Sequence, residues 1–424
     1  MSIRVTVTLY RDVVVIGGGS AGTYTAVRLK DYKKTVAVVE RNSRLGGHAE
    51  TYIDPETGYA IDIGVVTFAH LKVVTDYFAR FNVPLTAFPW FGQFEYVDFP
   101  TGRAVNYTPP SAEGVSTALS AYSTQLEKYP ALQGSFSLTY PVEPDLLLSF
   151  GEFVAKYNLG DMVPQIFANC EGYAPLLNIS MLYIFKYLSA GQISSFAQSF
   201  LTTAHHDTQE PYRQAMVFLG RDDVLLDSTV VSVNRSGTGP VRVFVQTPTG
   251  RRLINMGGFD LSDNEKALFS QFSANGYYAG ILNDTGFDIV MKAVGTNEPY
   301  GIPQLPGPYF FGVNQGLTQV YYGSPKALPE DDVKADILAI VRRIQKARGI
   351  HASTTPRWLA FFSHSPFNLM VPNEAIRDGF YAKLFALQGR RHTFYNGAAW
   401  HTQDSSVLWQ FTEDYILPIL LASS

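Results

Sequence analysis

Residues 12–31, DVVVIGGGSAGTYTAVRLKD, constrain the fold of this chain more than any other stretch. Val13 to Ile16 is a β-branched run, the pattern of a short buried strand. Gly17, Gly19 and Gly22 follow in a G-x-G-x-x-G frame, and apolar Ala21, Ala26, Val27 and Leu29 mark a helix behind it. A second strand, Thr35 to Val39, ends in Glu40. Strand, glycine turn, helix, strand and acid in that order form the dinucleotide-binding βαβ fingerprint. Gly17 permits the tight turn, and Gly19 has no side chain to hold a pyrophosphate off the backbone. Gly22 lets helix and strand pack closely. The helix begins near Ser20, where free N–H groups and a partial positive charge attract phosphate. Glu40 lies close to the ~20-residue offset at which an acid accepts hydrogen bonds from a ribose. An acid there favours a free 2′-hydroxyl, as in FAD or NAD, over NADP. The competing reading is a glycine-rich turn without a ligand, and the strand before it and the helix after it argue against that.

A chain of 424 residues has ample length for two domains. Its 46% apolar and 17% charged residues are ordinary for a soluble globular protein. The 25 Tyr, 29 Phe and 4 Trp suit a large apolar pocket as well as a core. A formal charge of −4 with no dense Lys/Arg run gives no reason to expect nucleic acid or an anionic membrane as partner. The single cysteine, Cys170, excludes an intrachain disulfide and reads as a small buried residue. The first ten residues, MSIRVTVTLY, lack a secretory signal pattern, and no apolar run approaches the ~18 residues of a membrane span. The expectation is a soluble cytoplasmic protein without a transmembrane segment. Its oligomeric state is left open.

Past Glu40 the chain reads RNSRLGGHAETY, with paired Gly46 and Gly47 followed by His48. Paired glycines there let the backbone pass close to a cofactor. Tyr59 to Gly64 reads as a strand, and Val65 and Val66 follow it. Helical patterns cover residues 67–81, 109–140, 146–157, 163–171 and 180–188, with no nucleotide motif among them. Strand texture returns at DVLLDSTVVSV, residues 223–233, then a turn, a strand over 241–247, a turn at 247–250 and a return strand over 251–256. Residues 276–293 and 309–322 read as sheet, and 331–347 as an amphipathic helix. The end reads FYNGAAWHTQDSSV, with Phe394 and Tyr395 as a strand and a final helix capped by Asp404 or Ser405.

These elements together resemble the FAD-dependent amine oxidase-like flavoprotein superfamily. Within it the chain is similar to β-cyclopiazonate dehydrogenase-like oxidoreductases in RLGGHAETY. It is similar to polyunsaturated fatty acid double-bond isomerases in FGEFVAKYN and FYAKLFALQGRRHTFYNG. The resemblance implies an α/β fold, with a Rossmann-like FAD-binding domain of the amine oxidase type and an inserted α+β substrate domain. The FAD-binding domain would comprise 1–85, 212–265 and 360–424, and the substrate domain 86–211 and 266–359. Gly17, Gly19, Ser20, Ala21 and Gly22 would hold the pyrophosphate. Glu40, with Arg41 beside it, would bind the adenosine ribose. Gly46, Gly47 and His48 would pass under the flavin side. Val65 and Val66 would lie against the isoalloxazine, and the backbone of Val231 against adenine. Gly397, Ala398 and the loop through Ser406 and Val407 would receive the phosphate, ribityl and pyrimidine end. Ala398 stands where the family usually has an acid, and His48 where it usually has Arg or Lys. The C-terminal loop contains no cysteine, so FAD is expected to be bound without a covalent bond.

Flavin accepts the hydride, so a proton-transfer residue is optional. No catalytic residue is assigned. His48 and His401 are the candidates, because each lies in a segment expected to border the flavin. His205, His206 and His364 are the other histidines that could move a proton, and no histidine spacing supports a metal site. The expected reaction is hydride transfer from an apolar or aromatic small molecule to flavin N5. The alternative is redox-neutral movement of a double bond in a polyunsaturated fatty acid. By resemblance, such isomerases bind the carboxylate with an arginine in the region of residues 88–98, which here holds neither Arg nor Lys.

Overall fold

The computed structural model describes residues 8–89, 92–169, 173–236, 239–247, 258–350 and 355–423. The expected turn at 247–250 apart from its first residue, the return strand at 251–256 and Cys170 lie outside them.

The N-terminal fingerprint folds as its pattern predicts. Strand β1, Val13–Ile16, pairs in parallel with β2, Val36–Val39, and β2 pairs in parallel with Val224–Leu225. Helix α1, Ser20–Asp31, crosses between β1 and β2 and buries Ala26, Val27 and Leu29 completely. Gly22 makes that packing possible, since a Cβ there would stand 2.0 Å from the Gly17 carbonyl oxygen. The strand expected over 35–39 begins one residue later, at Val36.

The larger sheet has seven strands in the order 357–363, 276–283, 317–324, 307–314, 290–293, 94–98, 103–104. Its central pairings are antiparallel, with Tyr278 opposite both Tyr322 and Ser363. Strict alternation along Gly276–Asn283 sends successive side chains to opposite faces. Tyr278 and Leu282 pack under helix Glu330–Arg348, against Val333, Ile337, Val341 and Ile344. Tyr277, Ala279 and Ile281 face the other way, against Ile61, Ile63 and Phe367. That second face closes one end of the cavity described below.

Helices Lys72–Arg80 and Glu210–Leu219 pack with the N-terminal unit, and further helices gather around Tyr122, Phe153 and Phe185, which are buried completely. They include Ala112–Leu126, Phe150–Tyr157, Val163–Asn169, Met181–Tyr187 and Ala190–Gln198. Ile376, Tyr381, Leu384 and Phe411 join the same cluster. Strand Arg357–Ser363 belongs to the large sheet, so a domain boundary at 360 falls inside a strand. Local pattern announces a strand or a helix but not the sheet or cluster that receives it.

One expected element is absent. Phe394 and Tyr395 do not form a strand. The Tyr395 N–H donates to Gln388 Oε1 at 2.8 Å, and its carbonyl accepts from Gln388 Nε2 at 2.8 Å, so one amide side chain takes the place of a neighbouring strand. The final helix starts at Ser405 with Asp404 as its N-cap, continues through a π-helical turn over Thr412–Ile416 and ends with Leu417–Leu421.

Candidate functional site

A cavity of about 1010 Å³ runs from the glycine turn to the inner face of the large sheet. Its volume stands at the upper end of the ~300–1,000 Å³ usual for ligand sites.

One end is backbone. Gly17, with φ +98°, and Gly19, Ser20, Ala21 and Gly22 all line the cavity. Gly19 is the N-cap of α1 and supplies no side chain to its first turn. The first bond of the helix runs from the Thr23 N–H to the Gly19 carbonyl at 2.8 Å, which leaves the N–H groups ahead of it for a ligand. Gly46 and Gly47 cross directly above. The Gly46 N–H donates to the Gly18 carbonyl at 2.8 Å, and a Cβ on Gly47 would lie 2.9 Å from Gly19 Cα. Arg44 holds this crossing in shape by donating to the carbonyls of Leu45, Gly47 and Ala49 at 3.0, 2.9 and 3.1 Å, and it pairs with Glu50. Glu40 is buried at the end of β2, where its two oxygens accept from the Gly18 and Asn42 N–H groups at 2.7 Å each. It therefore braces the turn from behind, outside the cavity lining, and Arg41 is exposed beside it.

The other end is made of rings. His48 meets His364 edge to face at 4.9 Å between centroids and Phe367 at 5.7 Å. Tyr277 stacks on His364 at 5.4 Å and tilts against Phe367 at 5.0 Å. His364 Nε2 lies 3.1 Å from the Ile63 carbonyl, which fixes that nitrogen as the protonated one. Burial pushes His48 down to about 3, helped by His364, Arg41 and Arg44. Burial also pushes His364 down to about 4. Both imidazoles are neutral at physiological pH. Val65 and Val66 run between the two ends and line the cavity. They are held by the Val65 N–H on the His48 carbonyl at 3.0 Å, and by Thr208 and Thr202 hydroxyls on the carbonyls of Val65 and Val66 at 2.8 and 2.9 Å.

The C-terminal segment joins the two ends. Gly397, with φ +112°, and Ala398 line the cavity, as do Gln403, Asp404 and Ser405. Asp404 Oδ1 accepts from the N–H groups of Ser406 and Val407 at 2.7 and 3.1 Å, and its other oxygen accepts from Gln192 Nε2. Burial raises the Asp404 carboxyl above its ordinary range, and those donors act against the rise. The Ser20 hydroxyl donates to Ser405 Oγ at 2.8 Å, so the N-terminal ends of α1 and the final helix meet. Ser406 and Val407 are buried behind that junction rather than in the cavity wall, with Ser406 Oγ accepting from the Ala69 N–H at 2.9 Å.

Besides Glu40, Arg41, Ser406 and Val407, two further expected positions fall off the cavity wall. Val231 sits 46% exposed, off the cavity, where the register of strands Thr229–Asn234 and Arg242–Gln246 shifts. A bulge breaks the alternation of faces, and Val233 lines the cavity instead. His401 turns away into the helical cluster. Its Nε2 lies 3.1 Å from Lys186 Nζ and 3.2 Å from the Gln133 carbonyl, and its ring packs on Phe411 at 5.5 Å.

The structure also supplies residues that no motif announced. Arg235, on the cavity rim, is buried and pairs with Asp260 at 2.8 Å and Glu265 at 2.7 Å. Burial alone would raise the Glu265 carboxyl, but Arg235, Tyr395 and Ser262 hold it down to about 2. Gln192, Tyr277 and Phe367 come from a helix, a strand and a loop remote from one another in sequence, with only their apolar or polar type to mark them.

Comparison with known proteins agrees with this geometry. The profile of an NAD(P)-binding Rossmann-like domain matches residues 15–81. The FAD-dependent oxidoreductase oblC of Cochliobolus heterostrophus is 38% identical, over 97% of this chain and 91% of its own. The β-cyclopiazonate dehydrogenase of Aspergillus oryzae is 33% identical, over 96% of this chain and 93% of its own. Among solved structures, the CLA-producing fatty acid isomerase from P. acnes superposes with a TM-score of 0.76 at 17% identity, covering 97% of this chain and 99% of that one. Cyclohexylamine oxidase from Brevibacterium oxydans gives 0.61 at 17% identity, with coverages of 97% and 99%. At such identities the two structures establish a shared amine oxidase-like fold.

Proposed function

The chain belongs to a family of FAD-dependent oxidoreductases that includes β-cyclopiazonate dehydrogenase, and from that membership we propose that it takes hydride from an apolar or aromatic small molecule bound beside non-covalent FAD. The observation that carries the reading is one continuous cavity with a phosphate-binding backbone at one end and an apolar, ring-lined space at the other. The residues present fit the cofactor. The uncapped start of α1 and the close crossing of Gly47 over Gly19 leave a cradle that any side chain would fill. When bound, FAD supplies the hydride acceptor at flavin N5. Gly17, Gly19, Ser20, Ala21 and Gly22 would bind its pyrophosphate. Gly46 and Gly47 close the cradle, with Glu40 bracing it from behind. Val65 and Val66 would give the flavin an apolar wall. Gly397, Ala398 and the start of the final helix would present N–H groups and a positive dipole end to it. The rings of Tyr277, Phe367 and the two histidines exclude water and orient the substrate.

Redox-neutral isomerisation of a polyunsaturated fatty acid is the competing reading, and the fold shared with the bacterial isomerase supports it. Against it stands the ring-lined end, where no Lys or Arg faces a carboxylate among the described residues. The purified protein is expected to be yellow, with absorbance near ~450 nm, and to release that colour into the supernatant on acid precipitation. Anaerobic mixing with linoleate separates the two readings. A rise in conjugated-diene absorbance without lasting bleaching of the flavin would support isomerisation and overturn the oxidation reading.

A further inference from the structure

The cavity contains four side chains with a formal charge among its described lining, and each is committed elsewhere. Arg11 pairs with Asp223 at 2.6 Å. Asp12 accepts from the N–H and hydroxyl of Thr35 at 2.7 and 2.8 Å. Arg235 is held by Asp260 and Glu265, and Asp404 by the final helix and Gln192. Tyr187 and Phe200 also line the cavity, Tyr277 and Phe367 wall its ring-lined end, and the polar groups at that end are neutral. Two of these are imidazoles in unlike situations. His364 is tied to the Ile63 carbonyl. His48 lines the cavity with neither ring nitrogen hydrogen-bonded among the described residues. His364 and Phe367 fix its ring plane by contact, so its nitrogens are oriented and unspent.

We infer that the ring-lined end is a subsite for an uncharged conjugated ring bearing a hydroxyl or carbonyl group, with His48 as the specificity-determining residue that hydrogen-bonds that group and His364 as its positioning partner. The inference rests on the oxidoreductase reading above and narrows its substrate class. A neutral imidazole offers one donor and one acceptor, which matches a hydroxyl or an enolised carbonyl. A carboxylate entering the same space would lose its water and find no cation, which disfavours it strongly. The histidines do not supply that cation. Burial keeps both neutral, reinforced at His48 by His364, Arg41 and Arg44 and at His364 by Arg44.

The test uses the yellow holoenzyme and two matched probes, 2-naphthol and 2-naphthoate, titrated at pH 7.5 while the flavin absorption spectrum is followed. The naphthol is expected to bind at least ~10-fold tighter, the scale on which a site built for one hydrogen-bonding pattern rejects another. Naphthoate affinity should stay flat from pH 8 to pH 5.5. A cationic histidine of ordinary pKa would instead raise it across that window. His48→Phe should weaken naphthol several-fold, and His48→Gln, which keeps a donor and an acceptor, should restore part of it. Equal or tighter binding of naphthoate, a rise in its affinity below pH 6.5, or unchanged naphthol binding in His48→Phe overturns the inference. So does flavin colour that stays with acid-precipitated wild type and leaves His48→Phe, since the ring nitrogen would then be bonded to the cofactor. If His48→Phe fails to fold, the wild-type probe preference and its pH profile still decide. A colourless wild type would defeat the oxidoreductase reading itself, which keeps the two failures apart.

Discussion

The two ends of the cavity are built on different principles. At the glycine turn the ligand-facing surface is largely main chain: Gly17 to Gly22 from the turn and the first residues of α1, with Gly46 and Gly47 laid across it. At the far end it is side chain: His48, Tyr277, His364 and Phe367 come from three separated stretches of sequence and meet only through ring contacts. A backbone cradle depends on what is missing, because a Cβ on Gly22, Gly46 or Gly47 would clash with neighbouring atoms and a larger side chain on Gly19 would enter the ligand's space. A ring-lined wall depends on what is present, and substitutions there change the shape and polarity of a space without closing it. The first end is therefore suited to one invariant chemistry, phosphate held by N–H groups. The second is suited to substrate choice.

The largest expected effect tests the cradle. A Cβ on Gly19 would stand 3.9 Å from Gly47 Cα, an ordinary contact, so Gly19→Val should fold. Its branched side chain would nonetheless occupy the space a pyrophosphate needs, and the purified variant is expected to be colourless. Retention of FAD by a folded Gly19→Val protein would break the contrast drawn here.

Next in size is the ion cluster on the rim. Arg235→Ala takes from buried Glu265 the nearer of its two cations and leaves it Arg391 at 3.5 Å, so the loss should approach but not exceed the about 3–5 kcal/mol of a buried pair broken outright. Chemical denaturation of wild type and variant would measure it. The same pair sets a pH window. Glu265 is held below its unfolded value, so its contribution is fully present above about pH 4.5 and is lost as pH falls toward about 2. Wild type should lose stability more steeply than Arg235→Ala across that interval.

The smallest effect probes the join between the ends. Gln192→Leu removes the donor on the second oxygen of the half-buried Asp404, at about 1–3 kcal/mol. The helix cap through Oδ1 remains, so the cradle should keep its FAD while the melting temperature drops modestly. Loss of FAD from Gln192→Leu would mean that the two ends are less separate than their construction suggests.

Legibility in the sequence follows the same division. The strand–glycine–helix unit was readable because every part of it is local: a buried strand, a turn needing Gly17 and a helix start fall within one short run. Helix Glu330–Arg348 was readable for a similar reason, since its apolar side chains repeat with the helical period. The Asp404 cap was readable from the residue type ahead of an apolar run. Failures came where a neighbour distant in sequence decided the outcome. Tyr395 turned from a strand into a segment paired with the side chain of Gln388. A bulge at Val231 moved the cavity contact to Val233. His401, placed by its loop near the flavin, was drawn instead to Lys186 in the helical cluster.

By itself, then, the sequence determined a dinucleotide-binding βαβ unit at residues 13–40 and, through its resemblance, FAD. Backbone geometry at a turn is dictated by glycine placement, and glycine placement is visible in a string of letters. Only the tertiary structure decided what faces the cofactor-bearing cradle. It set His48 against His364, left His48 without a hydrogen-bond partner among the described residues, and paired every charged side chain of the described lining with another group. Those outcomes depend on which side chains meet across long stretches of chain, and on the desolvation that follows when they do.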